Sequence, residues 1–425
     1  MSVTKETRTP LASVAIVGLG YVGLPTALAL HGRCKRVIGI DALQSRLDVI
    51  RAGDADLNDA DRETLIRAAG DGSFEMTTEM SAMGEADAVI ICVPTPVTEA
   101  NEPDLAMLRA ACGDAVRHAR WGQTFILTST TYIGTTREML ACPLAERGLE
   151  VGSDVFVAFS PERIDPGVPE HYQRITPRVA GGMTERCTAE AVRVLQEVTD
   201  SVHVVSSPEA AEATKLYENI QRAVVLALAN EFSDDCRSMN LDPIEVTEAA
   251  ATKPYSFQAV NPGPGVGGHC IPVDPHYLLW QLRQAGQESP LITQAMKQID
   301  ARPAQVAVRA REILDSHLFG RKIMVAGAAY KPGVRDLRSS PAIALIEHLR
   351  ASGVEVSYYD PLVPVMLVKG SILVSTEEPD GKAYDLVIIH TVHPGVSYAW
   401  AGDCPQILDT TSRFVSRNGS LCHVL

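Results

Sequence analysis

The sequence predicts an α/β protein with two Rossmann-like doubly wound domains, joined by a long central helix and a helical middle domain. Three observations lead to this prediction. A glycine-rich turn follows the first apolar strand, strand and helix patterns alternate after that turn, and a second alternation opens at Lys322 beyond a long helical stretch. We place the domain boundaries at residues 1–205, 206–312 and 313–425.

The first domain opens with a βαβ unit. The apolar run Ser13–Val17 leads into the motif Gly18-Leu-Gly-Tyr-Val-Gly23, a helical pattern covers Leu24–Leu30, and a second strand ends at Asp41. Three later runs predict further strands, at Ala88–Cys92, Thr124–Leu127 and Val155–Ala158. Such alternation is typical of a parallel, doubly wound sheet.

The middle of the chain is mainly helical. Ser207 is a predicted N-cap, and Pro208 lies in the first turn of a helix that runs to about Met239. The stretch Asn261–Pro275 is rich in glycine and proline and interrupts the helical pattern. Beyond it, strands of the third domain are predicted to begin at Lys322, Val354, Leu386 and Gln406.

Composition and charge argue against several classes of protein. The 425 residues include 38 Lys and Arg against 52 Asp and Glu, a net charge of −14, with no basic cluster that would hold a nucleic acid. No segment reaches the roughly 18 consecutive apolar residues of a membrane span. The nine cysteines are scattered and lack the spacing of a zinc site, which indicates reduced thiols in a cytoplasmic enzyme.

The glycine motif predicts a dinucleotide site. Because it joins a strand to a helix, its glycines let the backbone approach a pyrophosphate at the helix N-terminus. Asp41 ends the next strand and is expected to hydrogen-bond a ribose 2′-hydroxyl, which favours NAD over NADP. Arg46 either flanks the adenosine end of the cofactor or is a solvated helix residue.

The second α/β domain has Gly327 after its first strand but no full glycine motif. It therefore either binds a different nucleotide or is structural. Lys331 and Arg338 lie in the polar loop that follows this strand. Open α/β sheets bind phosphate ligands at the carboxyl ends of their strands, and basic residues suit that position.

A cysteine in a glycine-rich loop predicts covalent chemistry. The stretch Gly265–Asp274 places Cys270 between glycines and polar residues, where it is less suited to core packing and where loop amides can stabilise a thiolate or an oxyanion. A dinucleotide site combined with a nucleophilic cysteine indicates oxidation through a thiohemiacetal and a thioester, as in aldehyde oxidation.

The chain resembles the UDP-glucose/GDP-mannose dehydrogenase family of nucleotide-sugar 6-dehydrogenases. Seven stretches match in order: Gly18–Pro25, Val93–Pro96, Ser129–Tyr132, Phe159–Arg163, Ala213–Asn219, Gly265–Asp274 and Ala329–Pro332. The resemblance implies a nucleotide-sugar substrate whose C6 alcohol is oxidised to a carboxylate, with two NAD⁺ consumed per turnover. It also implies a homodimer or higher homo-oligomer formed through the middle helical segment.

The resemblance also implies roles for the catalytic residues. Cys270 corresponds to the nucleophile that attacks the C6 aldehyde and carries the thioester. Lys215 and Asn219 lie four residues apart in the long helix, so they face one way, and they correspond to the pair that stabilises the C6 oxygen. Glu162 corresponds to the carboxylate that guides water to the thioester.

Further roles follow from the same resemblance. Asp274 and Thr130 correspond to residues that hold a water and assist proton transfer, Lys331 to the substrate-phosphate lysine, and Arg338 to an arginine that reaches the dinucleotide of a neighbouring subunit. The implied cofactor site comprises Gly18, Gly20, Tyr21, Val22, Gly23, Asp41, Arg46, Pro94, Thr95, Thr130 and Arg338. The implied substrate site comprises Glu162, Arg163, Lys215, Asn219, Gly267 and Lys331.

The sequence departs from the family pattern at four places. Ile133 replaces a proline, which questions the rigidity of its loop, and Arg178 stands where relatives often have a lysine. Ser339 replaces a glutamate, so an acidic partner of Arg338 is expected to be lost. Thr411 replaces an arginine near the nucleotide, for which Arg413 is a candidate substitute.

Other functions compete with this interpretation. A two-electron hydroxyacid dehydrogenase of similar fold would need no cysteine and would form one NADH per turnover. A non-catalytic nucleotide-sugar binding protein would not need Cys270, Lys215, Asn219 and Glu162 together. The sequence motifs around Glu162 and Cys270 favour a UDP-N-acetylhexosamine as substrate, with UDP-glucose and a dTDP- or GDP-sugar left open.

Overall fold

The computed structural model describes residues 11–164, 173–412, 414 and 421–425. The chain forms two compact units. The first unit runs to Tyr217 and includes His276–Gln281, and the second comprises Glu218–Pro275 and Leu282–Leu425.

The first unit is built on an eight-stranded sheet in the order β3-β2-β1-β4-β5-β6-β7-β8. Neighbouring strands are parallel except β6 and β7. The first six strands have the 3-2-1-4-5-6 order of dinucleotide-binding sheets, which confirms the predicted fold class. The strands are β1 Ser13–Val17, β2 Arg36–Ile40, β3 Phe74–Thr77, β4 Ala88–Ile91, β5 Thr124–Leu127, β6 Phe156–Phe159, β7 Arg178–Gly182 and β8 Val202–Val204.

Short helices connect these strands, with a π-helical turn at Arg137–Ala141 directly before α5. They are α1 Gly23–Leu30, α2 Gln44–Arg51, α3 Asp59–Ala68, α4 Ala106–His118, α5 Cys142–Glu146 and α6 Glu185–Leu195. Leu24, Leu28 and Leu47 pack against Val14 and Ile16 of β1 in one buried apolar cluster. Because β1 lies in the centre of the sheet, this packing fixes the glycine turn that follows it.

The helical middle segment follows β8. Helix α7, Pro208–Ser238, begins in the first unit and continues in the second, close to the predicted bounds. The Ser207 hydroxyl accepts a hydrogen bond from the Ala210 amide at 3.2 Å, which confirms the predicted N-cap. The other helices of this segment are α8 Pro243–Ala251, α9 Asp274–Gln284 and α10 Pro290–Ile313.

The second unit contains a five-stranded parallel sheet in the order β10-β9-β13-β14-β15. Alternate residues of β9 contribute to two apolar clusters, with Ile323 and Val325 in one and Met324 and Ala326 in the other. The elements are β9 Lys322–Ala326, α11 Pro341–Ala351, β10 Glu355–Tyr359, the hairpin of β11 Val365–Val368 and β12 Ser371–Val374, β13 Leu386–Ile389, β14 Gln406–Asp409 and β15 Leu421–Val424.

No helix in the described parts of the chain combines the length and the apolar character that crossing a membrane requires.

Candidate active site

The three glycines of the first turn have three different environments. Gly18 has φ +89°, and a Cβ there would lie 2.8 Å from the carbonyl oxygen of Cys92. A Cβ on Gly23 would collide with the Gly18 carbonyl, whereas a Cβ on Gly20 would meet nothing within 4 Å. Gly18 and Gly23 therefore allow the tight turn and the close packing of α1, and Gly20 leaves open space beside the N-terminus of α1.

Asp41 and Arg46 hold this turn from two sides. The Leu19 amide donates to Asp41 Oδ2 at 2.9 Å, and Arg46 Nε donates to the Leu19 carbonyl at 2.8 Å. Asp41 follows β2 and remains partly exposed. The open space at Gly20 and the partly exposed carboxylate fit the pyrophosphate and ribose of a dinucleotide.

The loops after β4 and β5 are joined by hydrogen bonds in the first unit. The Thr95 hydroxyl donates to the Thr130 carbonyl at 2.6 Å, and the Tyr277 hydroxyl donates to the Thr95 carbonyl at 3.0 Å. Pro94 and Thr95 follow directly on β4, and Tyr21 and Val22 belong to the glycine turn. Both strands end at the same edge of the sheet as β1, so these loops share the carboxyl edge with the glycine turn.

Two residues that sequence reasoning missed hold the loop around Ile133. Gln281 accepts from the Ile133 amide at 3.1 Å and donates to the Ile133 carbonyl at 2.7 Å. Glu212, which is buried, accepts from the amides of Gly134 and Thr136 at 2.5 and 2.8 Å. A proline at position 133 has no amide hydrogen and could not donate to Gln281. Isoleucine at this position supplies that hydrogen. The sequence signal for Glu212 was its place three residues before Lys215, on the same face of the predicted helix.

Burial affects Glu212 more strongly than its hydrogen bonds do. Desolvation raises the pKa of this carboxyl above its ordinary value, although Thr136 and Gly134 donate to it. The loop carrying Thr130 is thus tied to α7 by a buried group.

Glu162 is buried in an ion pair. Arg178 Nη2 donates to Glu162 Oε2 at 2.5 Å, and the other oxygen accepts from the amides of Arg163 and Ile164 at 2.8 and 3.1 Å. Lys215 Nζ donates to the Glu162 carbonyl at 2.8 Å. The arginine at 178 therefore orients this carboxylate, while the glutamate backbone positions Lys215.

The second unit contains the cysteine loop. Gly268 donates to the Arg338 carbonyl at 2.8 Å, and a Cβ on Gly267 or Gly268 would lie within 2.9 Å of the Tyr330 side chain. The Asp274 amide donates to the Cys270 carbonyl at 2.8 Å, where α9 begins. Asn219 Nδ2 donates to Asp274 Oδ2, and both side chains are buried.

Exposure distinguishes Cys270 from the buried thiols. All nine cysteines lie in the described ranges and none forms a disulfide. Burial raises the pKa of the Cys34, Cys92 and Cys112 thiols to about 12, which makes them poor nucleophiles. Cys270 is partly exposed, and Cys142 and Cys422, which are exposed, lie outside the glycine loop.

The loop after β9 carries the two predicted phosphate ligands. Arg338 makes a bidentate pair with Asp336, at 3.1 and 2.6 Å, so the acidic partner thought to be lost with Ser339 is supplied two residues earlier. Ser339 has φ +49°, and Lys331 is partly buried. Thr411 contacts Asp409, and Arg413 lies outside the described residues.

The predicted residues are divided between the two units. The first unit holds the glycine motif, Asp41, Arg46, Pro94, Thr95, Thr130, Glu162, Arg163 and Lys215. The second holds Asn219, Gly267, Cys270, Asp274, Lys331 and Arg338.

Family models match almost the whole chain. The NAD binding domain of the UDP-glucose/GDP-mannose dehydrogenase family matches residues 12–221, the central domain of that family matches 209–300, and its UDP binding domain matches 324–415. These three matches follow one another in the order expected from the sequence.

Relatives and solved structures agree with the family models. UDP-N-acetyl-D-mannosamine dehydrogenase of Escherichia coli is 35% identical over 79% of this chain and 82% of its own length. UDP-N-acetyl-D-glucosamine 6-dehydrogenase of Pseudomonas aeruginosa is 33% identical over 89% and 90%. The structure of UDP-D-ManNAc dehydrogenase from Pyrococcus horikoshii superposes with a TM-score of 0.85 at 29% identity, covering 97% of this chain and 98% of that one. The chain therefore belongs to the UDP-glucose/GDP-mannose dehydrogenase family of NAD-dependent oxidoreductases.

Proposed function

We propose that this protein oxidises the C6 hydroxyl of a UDP-N-acetylhexosamine to a carboxylate and consumes two NAD⁺ per turnover. The substrates in the names of its E. coli and P. aeruginosa relatives support the choice of sugar and base. The observation that carries the chemistry is the partly exposed Cys270 in its glycine loop. A UDP-glucose, dTDP-sugar or GDP-sugar substrate is the alternative.

The proposed reaction has two oxidations and one hydrolysis. Bound NAD⁺ supplies the acceptor for each hydride. The alcohol loses a hydride and a proton to give the C6 aldehyde, and the Cys270 thiolate adds to it to give a thiohemiacetal. Loss of a second hydride and of the hydroxyl proton leaves a thioester. Water then adds, the C–S bond breaks, and the carboxylate leaves as the thiolate is restored.

Other side chains are assigned to charge and proton control. In this proposal Lys215 and Asn219 stabilise the negative charge that develops on the C6 oxygen. Glu162, oriented by Arg178, directs the hydrolytic water, and Asp274 and Thr130 hold a water for proton transfer. The buried Asn219–Asp274 hydrogen bond supports this role for Asp274 because it fixes the carboxylate.

The proposal also covers the domain organisation of the chain, its oligomeric state and its cellular location. It retains the division at residues 1–205, 206–312 and 313–425, with NAD, dimerisation and nucleotide-sugar roles in that order. A homodimer through α7 is supported by Leu228 and Phe232, one turn apart and 63% and 41% exposed. A cytoplasmic location is supported by the nine cysteines, none of which forms a disulfide.

A panel of nucleotide sugars with purified protein and NAD⁺ tests the proposal. We expect NADH and uronate from a UDP-N-acetylhexosamine, and no uronate from the Cys270→Ala variant because no thioester can form. Cys142→Ala removes an exposed thiol outside the loop and should retain activity. Uronate formation by Cys270→Ala would rule out the thioester route, and a preference for another sugar would correct the substrate.

A further inference from the structure

His393 lies at the carboxyl edge of the second sheet with both ring nitrogens engaged. The residue is 2% exposed. Nδ1 accepts from the Gly333 amide at 3.0 Å, and Nε2 lies 3.0 Å from Asp360 Oδ2. Because an amide can only donate, Nδ1 carries no proton. The ring is therefore the neutral tautomer that donates from Nε2 to Asp360.

Asp360 is a fixed anchor for this ring. It is fully buried at the end of β10, and its Oδ2 also accepts from the amides of Ala328 and Ala329 at 2.7 and 3.0 Å. The Leu362 amide donates to the other oxygen at 2.9 Å. Burial acts to raise the pKa of Asp360, but the hydrogen bonds from His393, Ala328 and Ala329 outweigh it and hold the pKa below its ordinary value. The orientation of His393 is thus set by the sheet.

The Gly333 amide, which donates to His393, lies in the loop that carries Lys331. Gly333 follows Lys331 by two residues, is exposed and has φ +73°. The same loop is closed by a hydrogen bond from the Tyr330 amide to the Asp336 carbonyl at 3.1 Å. His393 therefore attaches this loop to the sheet two residues beyond Lys331. The position of the Lys331 backbone limits where its long side chain can reach.

We infer that His393 is a positioning residue for nucleotide binding, which fixes the Lys331 loop through the Gly333 amide and is itself fixed by Asp360. The inference rests on the proposed function of Lys331 as the phosphate ligand. Loss of His393 leaves the loop backbone without its acceptor, so the ammonium group spends less time where a diphosphate would bind.

A double-mutant cycle with UDP as the probe tests the inference. His393→Phe keeps a ring and loses both hydrogen bonds, so UDP should bind roughly tenfold more weakly by calorimetry, with KM for the nucleotide sugar raised and kcat nearly unchanged. In a Lys331→Ala background the same substitution should change UDP affinity less than about twofold. His393→Asn keeps an acceptor near the Nδ1 position and should recover part of the affinity.

The outcomes of this experiment either support or overturn the positioning role of His393. Equal weakening with and without Lys331, or no weakening in His393→Phe, would overturn the inference. If His393→Phe does not fold, His393→Leu, which also loses both hydrogen bonds, gives the same cycle in both Lys331 backgrounds. Absence of UDP binding by the wild-type protein contradicts the proposed function instead, so the two failures are distinguishable.

Discussion

The eight-stranded and five-stranded sheets make the same turn where their strand order reverses, but they present different groups there. After β1, the Gly18 amide donates to the Ile40 carbonyl at 2.8 Å, and after β9 the Gly327 amide donates to the Tyr359 carbonyl at 2.7 Å. Both glycines have positive φ, +89° and +91°. A Cβ on either would collide with the loop that follows the adjacent strand, at Cys92 after β4 or at Thr391 after β13. An aspartate follows the partner strand in each sheet, Asp41 in the first and Asp360 in the second.

The surroundings of the two aspartates differ. Asp41 is partly exposed and accepts from the Leu19 and Leu43 amides. Asp360 is fully buried and accepts from three amides, those of Ala328, Ala329 and Leu362, and from His393. Under the proposed function Asp41 therefore binds a ribose, whereas Asp360 holds the loop that carries Lys331. The strand and the turn have the same geometry in both sheets. The groups that surround each aspartate therefore decide its role.

The largest effect is expected at the glycine of the second turn. Gly327→Ala places a methyl group against the Thr391 carbonyl at a left-handed φ, so we expect a loss of about 3 kcal/mol or more of unfolding free energy. Thermal unfolding should shift down by about 5 °C or more. Gly20→Ala meets no atom within 4 Å and should keep its stability while NAD⁺ binds more weakly. Equal stability of the two variants would contradict the clash.

A smaller effect is expected from pH in the second unit. Burial lowers the pKa of His390 to about 4, against a smaller opposing effect of Asp360. Between pH 6.5 and about 4 the unfolded chain binds a proton that the folded protein does not, so stability falls as pH falls. We expect this group to remove about 2 kcal/mol between pH 7.5 and pH 5.

The matched variant for this prediction is His390→Asn, which keeps a donor toward the Thr391 hydroxyl and cannot titrate. Denaturant unfolding of both proteins at the two pH values measures the difference. The same pH dependence in wild type and variant would assign the effect to other groups.

The smallest effect concerns cofactor choice. Asp41→Asn removes the charge that repels a 2′-phosphate, so the ratio of kcat/KM for NAD⁺ to that for NADP⁺ should fall about tenfold. Asp360→Asn is the same substitution at the equivalent strand end and should leave this ratio unchanged. A similar shift in both variants would remove the distinction between the two acids.

Periodicity and glycine spacing were sufficient to predict the two sheets, the long α7 and its N-cap. The sequence did not identify strands β3, β7, β8, β11, β12 and β15. Strand β8 is only three residues long, which leaves little pattern to detect. The glycine motif could be read locally because its turn, strand and helix are contiguous.

Two of the remaining differences come from contacts that are distant in sequence, and one comes from a local contact. Gln281 contacts Ile133 across 148 positions, and His393 contacts Gly333 across 60. Neither pairing has a local sequence signal. Asp336 replaced the lost acidic partner of Arg338 because a nearby aspartate can pair with an arginine without occupying the family position.

We propose that this protein carries out a four-electron oxidation through Cys270. Counting NADH formed per UDP-N-acetylhexosamine consumed, with the uronate quantified in the same reaction, tests it most directly. We expect two NADH and one uronate per sugar. One NADH per sugar with no carboxylate formed would contradict it and would indicate a two-electron dehydrogenase.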